Sequence, residues 1–225
     1  EHLGSEWITN YIDYSVDIYN TEGELLCKFR KESISPQIAD VGWNNYKDLA
    51  KASRVRGASA GMIDPNNTYW KKRILGTTKK WSTTYLNKDG GESKMKVNNQ
   101  LHYQKYKAGL PYINSLNDKY KQLNYPKWKE QNTRAKLKKE FRIENTAFST
   151  ITINRNFRTA VHKDSGDFGG WAVLSVLERG QYNGGCFMLP KYGIGIDIRH
   201  GDVLVCDVHQ YHANSEIWTT QEQDK

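Results

Sequence analysis

The sequence predicts an α+β fold, with helices and loops in the first part and a jelly roll or barrel of short strands in the second. Three observations point there. Beyond Asn145 the apolar residues fall in short runs, at 148–154, 172–177, 185–189, 194–198 and 202–206. Glycines punctuate those runs, at Gly169-Gly170, Gly180, Gly184-Gly185, Gly193 and Gly201, which is the rhythm of an all-β sandwich or barrel. Before Asn145 the pattern is mixed, with two stretches of helical spacing and a long loop region. At 225 residues the chain is long enough for one large domain with a real core, and a single domain over residues 1–225 is the expectation, with parts 1–144 and 145–225.

Taken in order, residues 17–20, the turn Thr21-Glu22-Gly23 and residues 24–30 read as a β-hairpin. Ser35-Pro36 opens an amphipathic helix reaching about Ala52. Proline suits an early helical position, and Ile38, Val41, Tyr46 and Leu49 recur at roughly helical spacing. Residues 54–81 form a long loop rich in Gly, Asn, Thr and basic residues, and loops of that length in a compact domain tend to carry function. A second helical stretch runs from about Tyr112 to Lys138, interrupted at Pro126. The strands of the second part then lead to a polar end, Thr219-Thr220-Gln221-Glu222-Gln223-Asp224-Lys225, so the predicted jelly roll is short of its final strand.

Several classes are excluded at this level. No run approaches the ~18–20 apolar residues of a membrane helix, and no signal-peptide core opens the sequence. Cys27, Cys186 and Cys206 are odd in number and lack CxxC spacing, which argues against a disulfide scaffold and a cysteine zinc site. An intracellular monomer is expected, nuclear in a eukaryote. Charge is unevenly placed: 33 Lys+Arg face 25 Asp+Glu overall, and residues 113–142 alone hold nine Lys/Arg against three Asp/Glu. Residues 191–225 reverse the sign, three against six. A basic segment beside an acidic remainder is the footprint of a polyanion partner, DNA or RNA first, and equally of a solvated helix face.

The chemistry concentrates in the β part, which holds His162, His200, His209 and His212, four of the six histidines. In His162-Lys163-Asp164, positions i and i+2 of a strand project to the same face, so an imidazole and a carboxylate can meet on one metal. A later histidine on a neighbouring strand completes two His and one carboxylate, the facial triad of non-haem Fe(II) oxygenases. The third ligand is His209 or His212. His209 falls in the turn after the 202–206 strand, whereas His212 has room to begin the next one, so His212 is favoured and His209 and His200 are left as surface or supporting histidines.

Five motifs carry a resemblance: Thr152-Ile153-Asn154-Arg155-Asn156, His162-Lys163-Asp164-Ser165-Gly166-Asp167, Gly184-Gly185-Cys186-Phe187-Met188-Leu189-Pro190, Gly201-Asp202 and Tyr211-His212-Ala213-Asn214. Together they resemble the TET/JBP family of Fe(II)- and 2-oxoglutarate-dependent dioxygenases, closely over about residues 145–218. A looser match reaches upstream through Arg56-Gly57-Ala58-Ser59-Ala60-Gly61 and Tyr125-Pro126-Lys127-Trp128. The resemblance implies a double-stranded β-helix (jelly-roll) core with N-terminal helices and loops packed on it, and oxidation of the 5-methyl group of a flipped pyrimidine in DNA with dioxygen and 2-oxoglutarate. It further implies iron ligation by His162, Asp164 and His212, and base reading by Asp167. A carboxylate at Asp167 suits the amino group of cytosine, so 5-methylcytosine is expected over thymine; the same residue can equally orient a ligand histidine. Asn154, Arg56 and Ser59 are expected to contact substrate and Arg158 the co-substrate, with residues 54–61 and 119–142 as the DNA cradle and Tyr69, Trp70 and Trp81 as stacking candidates.

One departure stands out. The family places an Arg after the last histidine to pair bidentately with the distal carboxylate of 2-oxoglutarate, and here only Lys225 is basic beyond His212. Other readings of the same residues are a protein or small-molecule hydroxylase on the same iron scaffold, a non-enzymatic nucleic-acid-binding jelly roll, and a His2Asp zinc hydrolase.

Overall fold

The computed structural model describes residues 2–49, 51–52, 79–82, 100–137, 142–156, 158–164 and 169–219. Arg56, Ser59, Tyr69, Trp70, Lys138, Lys139 and Asp167 lie outside these residues.

A 3-10 turn at Ser5–Trp7 leads to β1 (Asn10–Ile12). The expected hairpin is present as β2 (Val16–Tyr19) and β3 (Leu25–Arg30). Asn20 Oδ1 accepts from the main-chain N–H of Glu22 at 2.9 Å and Glu24 at 2.8 Å, closing the turn with Gly23 at φ 80°. Helix α1 (Pro36–Tyr46) starts where Ser35 Oγ accepts from Ile38 N at 3.4 Å. It ends at Tyr46, short of Ala52, and residues 51–52 instead form β4 (Lys51–Ala52) against β5 (Lys79–Ser82). Leu49 is buried just beyond the helix end, so the apolar period runs on without a stop signal.

The second helical stretch is three helices: α2 (Gln100–Ala108), α3 (Leu110–Leu123) and α4 (Tyr125–Leu137). Pro126 sits in the first turn of α4 and begins a helix, where a prolyl nitrogen costs no hydrogen bond. The strands beyond Asn145 are shorter than their apolar runs. They are β6 (Thr152–Asn154), β7 (Ala172–Ser175), β8 (Tyr182–Gly184), β9 (Phe187–Leu189), β10 (Ile194–Ile196), β11 (Val203–Cys206), β12 (Ala213–Asn214) and β13 (Ile217–Thr219).

Among the described residues two four-stranded sheets organise the molecule, in orders β2-β3-β11-β7 and β1-β10-β9-β12, beside a β13-β8 pair and a β4-β5-β6 sheet. Strands from before and after Asn145 therefore pair in the same sheets. One apolar cluster joins the two larger sheets through Ile18, Cys27 and Phe29 on one side and Ile12, Phe187, Leu189 and Ile196 on the other. A second cluster packs Tyr46, Leu110, Tyr112, Ile113 and Tyr120 of the helices against the opposite face of the β2-β3-β11-β7 sheet. Strand β11 lies between them. Its Leu204 and Cys206 face the other sheet while Val203 and Val205 face the helices, so all four residues are fully buried and the strand reads as a continuous apolar run. Cys27, Cys186 and Cys206 are buried free thiols. No helix among the described residues is long and apolar enough to cross a membrane.

Helix α1 meets α3 at Gly42, where a Cβ would stand 2.7 Å from Cγ of the buried Tyr112 ring. Gly→Ala inside a helix ordinarily stabilises by about 1 kcal/mol. Here the ring cannot swing aside, because the Tyr112 hydroxyl is bonded to Ser175 Oγ at 2.7 Å. Gly42→Ala is expected to destabilise by about 1–3 kcal/mol through overpacking, read by urea unfolding; a stabilised variant would show that the helices can part without cost.

Candidate metal centre

The site is built outward from β11. Asp207 leaves that strand tied to the sheet by its N–H to Leu26 O at 3.0 Å, and a turn follows in which Gln210 N donates to Asp207 O at 3.3 Å. The chain then returns along the segment that carries His162. His162 and His212 exchange both main-chain hydrogen bonds, at 3.0 and 2.9 Å, as an antiparallel bridge. Directly opposed residues in such a pair present their side chains on one face, and the two imidazole centroids are 4.3 Å apart. Asp164, two residues beyond His162, is held by its N–H to Val208 O at 3.1 Å and projects to the same side.

The three side chains converge. Asp164 Oδ1 lies 3.4 Å from His162 Nε2 and Asp164 Oδ2 lies 3.7 Å from His212 Nε2, and one ligand atom from each residue lies within 4.8 Å of the others. Ligand atoms at right angles on a metal with bonds of about 2.1 Å stand about 3 Å apart, so a small contraction suffices. The donor set fits a divalent metal in protonation state as well. His162 Nδ1 contacts Ala160 O at 2.7 Å and His212 Nδ1 contacts Gln210 O at 2.9 Å. A carbonyl can only accept, so each Nδ1 carries a proton, and in the neutral ring Nε2 is the nitrogen that offers its lone pair to the metal position. Burial pushes the His212 pKa below the usual imidazole value, with His162 adding to it and the Gln210 carbonyl, Asp164 and Asp207 opposing it. Both histidine side chains are nearly buried while that of Asp164 is 43% exposed, so the open side of the site is the carboxylate side. Phe187 stacks on the His212 ring at 5.5 Å.

The other histidines stand apart from this cluster. His209 Nδ1 contacts Asp207 Oδ1 at 2.8 Å, and His200 lies at Glu178 N and Arg179. Asn154 is exposed on β6 in the three-stranded sheet, and Trp81 lies on neighbouring β5. Arg158 Nη2 donates to Leu3 O at 2.8 Å and faces Glu216 Oε2 at 3.8 Å, while its Nε is buried without an acceptor. Burial alone would raise the Glu216 carboxyl, but hydrogen bonds from Ser5 and the charge of Arg158 outweigh it and hold the group below its ordinary value. Sequence reasoning passes over Asp207 and Gln210, whose contribution is a turn. The glycine motif has a steric basis: at Gly184, with φ +77°, a Cβ would collide with Glu216 O, where β8 crosses to β13.

Two histidines and one carboxylate, convergent and open on one side, form the donor set of the mononuclear non-haem iron oxygenases. The chain belongs to the Tet_JBP family, the oxygenase domain of the 2OGFeDO superfamily, whose profile matches residues 86–225. Thymine dioxygenase JBP1 of Trypanosoma brucei brucei is 38% identical over 225 residues, covering 92% of this chain and 24% of that protein. The bifunctional helicase and thymine dioxygenase JBP2 of Trypanosoma cruzi is 39% identical over 108 residues, covering 48% of this chain and 10% of its own. This chain thus spans about a quarter, or less, of the curated relatives it matches. Among solved structures, NgTET1 in complex with 5mC DNA aligns with a TM-score of 0.42 and 14% identity, over 97% of this chain and 75% of that one.

Proposed function

We propose that this chain is the catalytic domain of an Fe(II)- and 2-oxoglutarate-dependent dioxygenase that hydroxylates the methyl group of thymine in DNA. The observation that carries the proposal is the convergence of His162, Asp164 and His212 with both Nδ1 protons given to main-chain carbonyls. The paired four-stranded sheets suit a double-stranded β-helix core. Thymine replaces the 5-methylcytosine expected from Asp167, because the relatives are thymine dioxygenases by name and that preference finds no support among them.

His162, Asp164 and His212 would hold the metal, His212 braced by Phe187 and both histidines fixed in one tautomer. Bound Fe(II) supplies the redox chemistry by which 2-oxoglutarate and dioxygen give succinate and carbon dioxide while one oxygen atom enters the methyl C–H bond. The protein's own task is to leave one face open, hold both imidazoles with Nε2 toward the metal position and bring an extruded base to the Asp164 side. Arg158, with its unmet Nε, is the basic residue assigned to the co-substrate carboxylate; Asn154, Arg56, Ser59 and Asp167 are assigned to the substrate. DNA as partner would place the protein in the nucleus of a eukaryotic cell. Anaerobic loading with Fe(II) and 2-oxoglutarate, then air, thymine-containing duplex and nucleoside mass spectrometry tests the proposal. A 5-hydroxymethyl product with equimolar succinate is expected, and succinate release with no modified base at any DNA concentration would overturn the assignment.

Helix α4 supports a DNA cradle near the site. A Cβ on Gly169, five residues past Asp164 in the chain, would lie 3.8 Å from Arg134 Nη1 and 3.9 Å from Glu130 Oε1, so the basic helix reaches Gly169. Glu130 pairs with Arg134 at 3.0 Å and Lys127 at 3.8 Å, whereas Lys129 and Lys136 are exposed with no carboxylate within 4.0 Å among the described residues. Reversing Lys129, Arg134 and Lys136 to Glu is expected to weaken duplex binding without sequence bias, lowering the log–log salt slope by about 0.9 for each phosphate no longer neutralised. Fluorescence anisotropy across a salt series reads the slope; an unchanged slope leaves α4 as a solvated face.

A further inference from the structure

Asp207 makes no hydrogen bond to the three ligands, though its charge is felt at His212, and the 207–210 turn supports two of them. Its Oδ1 accepts from His209 N at 3.1 Å and contacts His209 Nδ1 at 2.8 Å, the closure of an Asx turn. Its own N–H and C=O are both used, to Leu26 O at 3.0 Å and from Gln210 N at 3.3 Å. The turn so fixed presents two carbonyls to the metal centre. Val208 O takes the Asp164 N–H at 3.1 Å and Gln210 O takes the His212 Nδ1–H at 2.9 Å. The first fixes where the carboxylate ligand stands, and the second sets the tautomer and ring orientation of an imidazole ligand. The turn leaves from β11, which is packed on both faces, so it is anchored to the most deeply buried strand of the fold.

We propose that Asp207 is a positioning residue for the metal centre, acting by closing the turn whose Val208 and Gln210 carbonyls orient Asp164 and His212. This rests on the reading of those residues as metal ligands. The property required of Asp207 is an oxygen acceptor at Oδ1 and not a negative charge, since the bond that shapes the turn comes from a main-chain N–H. Asparagine supplies the same acceptor; alanine does not. The turn is closed by the His209 main-chain N–H, which alanine keeps; the imidazole adds a second contact to the same oxygen at 2.8 Å, and its loss leaves the turn closed.

The test is Mn(II) binding to the full chain in the absence of oxygen, by calorimetry, for the parent, Asp207→Ala, Asp207→Asn and His209→Ala. Loss of a group that orients a ligand weakens metal binding by about 10–100-fold, and that loss is expected for Asp207→Ala. Asp207→Asn and His209→Ala should stay within about threefold of the parent, a difference below 1 kcal/mol on the affinity scale. Urea unfolding of the metal-free proteins separates a misplaced site from a misfolded one. If Asp207→Ala does not fold, the asparagine variant decides, because the turn argument requires it to keep the metal. Parent-like affinity in Asp207→Ala, or equal losses in the alanine and asparagine variants, overturns the proposal. Absence of Mn(II) binding in the parent would instead overturn the metal-centre reading itself.

Discussion

Replacing His162, Asp164 or His212 with alanine is expected to abolish metal-dependent turnover, while His209→Ala keeps most of it. Three ligands on one face of a metal are the minimum that leaves room for a bidentate co-substrate and dioxygen, and removing one opens a second path for water and wrong geometry. The two histidines differ from His209 in what their Nδ1 meets. Those of His162 and His212 face carbonyls, which leaves Nε2 on the Asp164 side; that of His209 faces the Asp207 carboxylate. A readout independent of catalysis is thermal or urea stability with and without Mn(II). At a metal concentration about 100 times Kd, occupancy stabilises a folded chain by about 2.7 kcal/mol. The parent and His209→Ala should show that increment and the three ligand variants should not. If His209→Ala loses it while His212→Ala keeps it, the third ligand has been misassigned.

How much of this is legible in the residues depends on whether the information is local. The hairpin at Gly23, the Ser35 cap and the apolar β11 run are written in neighbouring residues, and the structure has all three. The His162–Asp164 geometry is local as well, since i and i+2 share a face; the third member is reachable because His212 sits at a strand start. Strand β8 is invisible because Tyr182-Asn183-Gly184 holds one apolar residue and ends in glycine, so only its pairing with β13 makes it a strand. Strand β4 is hidden by the helical period that Leu49 continues past Tyr46. Asp207 and Asp202 look like any turn carboxylate, and what sets them apart is main-chain partners far away in sequence. The substrate shows the limit most sharply. A carboxylate accepts from the N4 amino group of cytosine, but thymine also offers a donor on the same edge, at N3, so the residue type at Asp167 does not discriminate between the two.

Asp202→Ala is expected to cost about 3 kcal/mol of folding stability, the lower end of the range for breaking a buried ion pair. The residue is half of the Gly201-Asp202 motif, and its role is structural. Its carboxylate is 1% exposed. Oδ1 accepts from Glu32 N at 2.8 Å, and Oδ2 accepts from Arg199 N at 2.8 Å and meets Lys31 Nζ at 2.9 Å. Its main-chain carbonyl accepts from Ser175 Oγ at 2.7 Å, which in turn accepts from the Tyr112 hydroxyl at 2.7 Å. One side chain therefore ties the end of β3 to the turn before β11, and one carbonyl ties that turn to β7 and α3. Alanine would strand two main-chain donors and leave Lys31 without its counter-ion. Because the Lys31 side chain is 30% exposed, water recovers part of the ammonium's hydration, which is why the lower end of the range applies. Asp202→Asn retains acceptor capacity and should fall between parent and alanine. Lys31→Met added to Asp202→Ala removes the stranded charge and should restore part of the loss; with Lys31→Met alone as the fourth corner, the double-mutant cycle isolates the ion pair from the two main-chain bonds. Urea unfolding followed by circular dichroism gives all five values. A loss below about 1 kcal/mol in Asp202→Ala, the size of an ordinary surface substitution, would mean that the turn before β11 is held by the glycine and the packed strands alone.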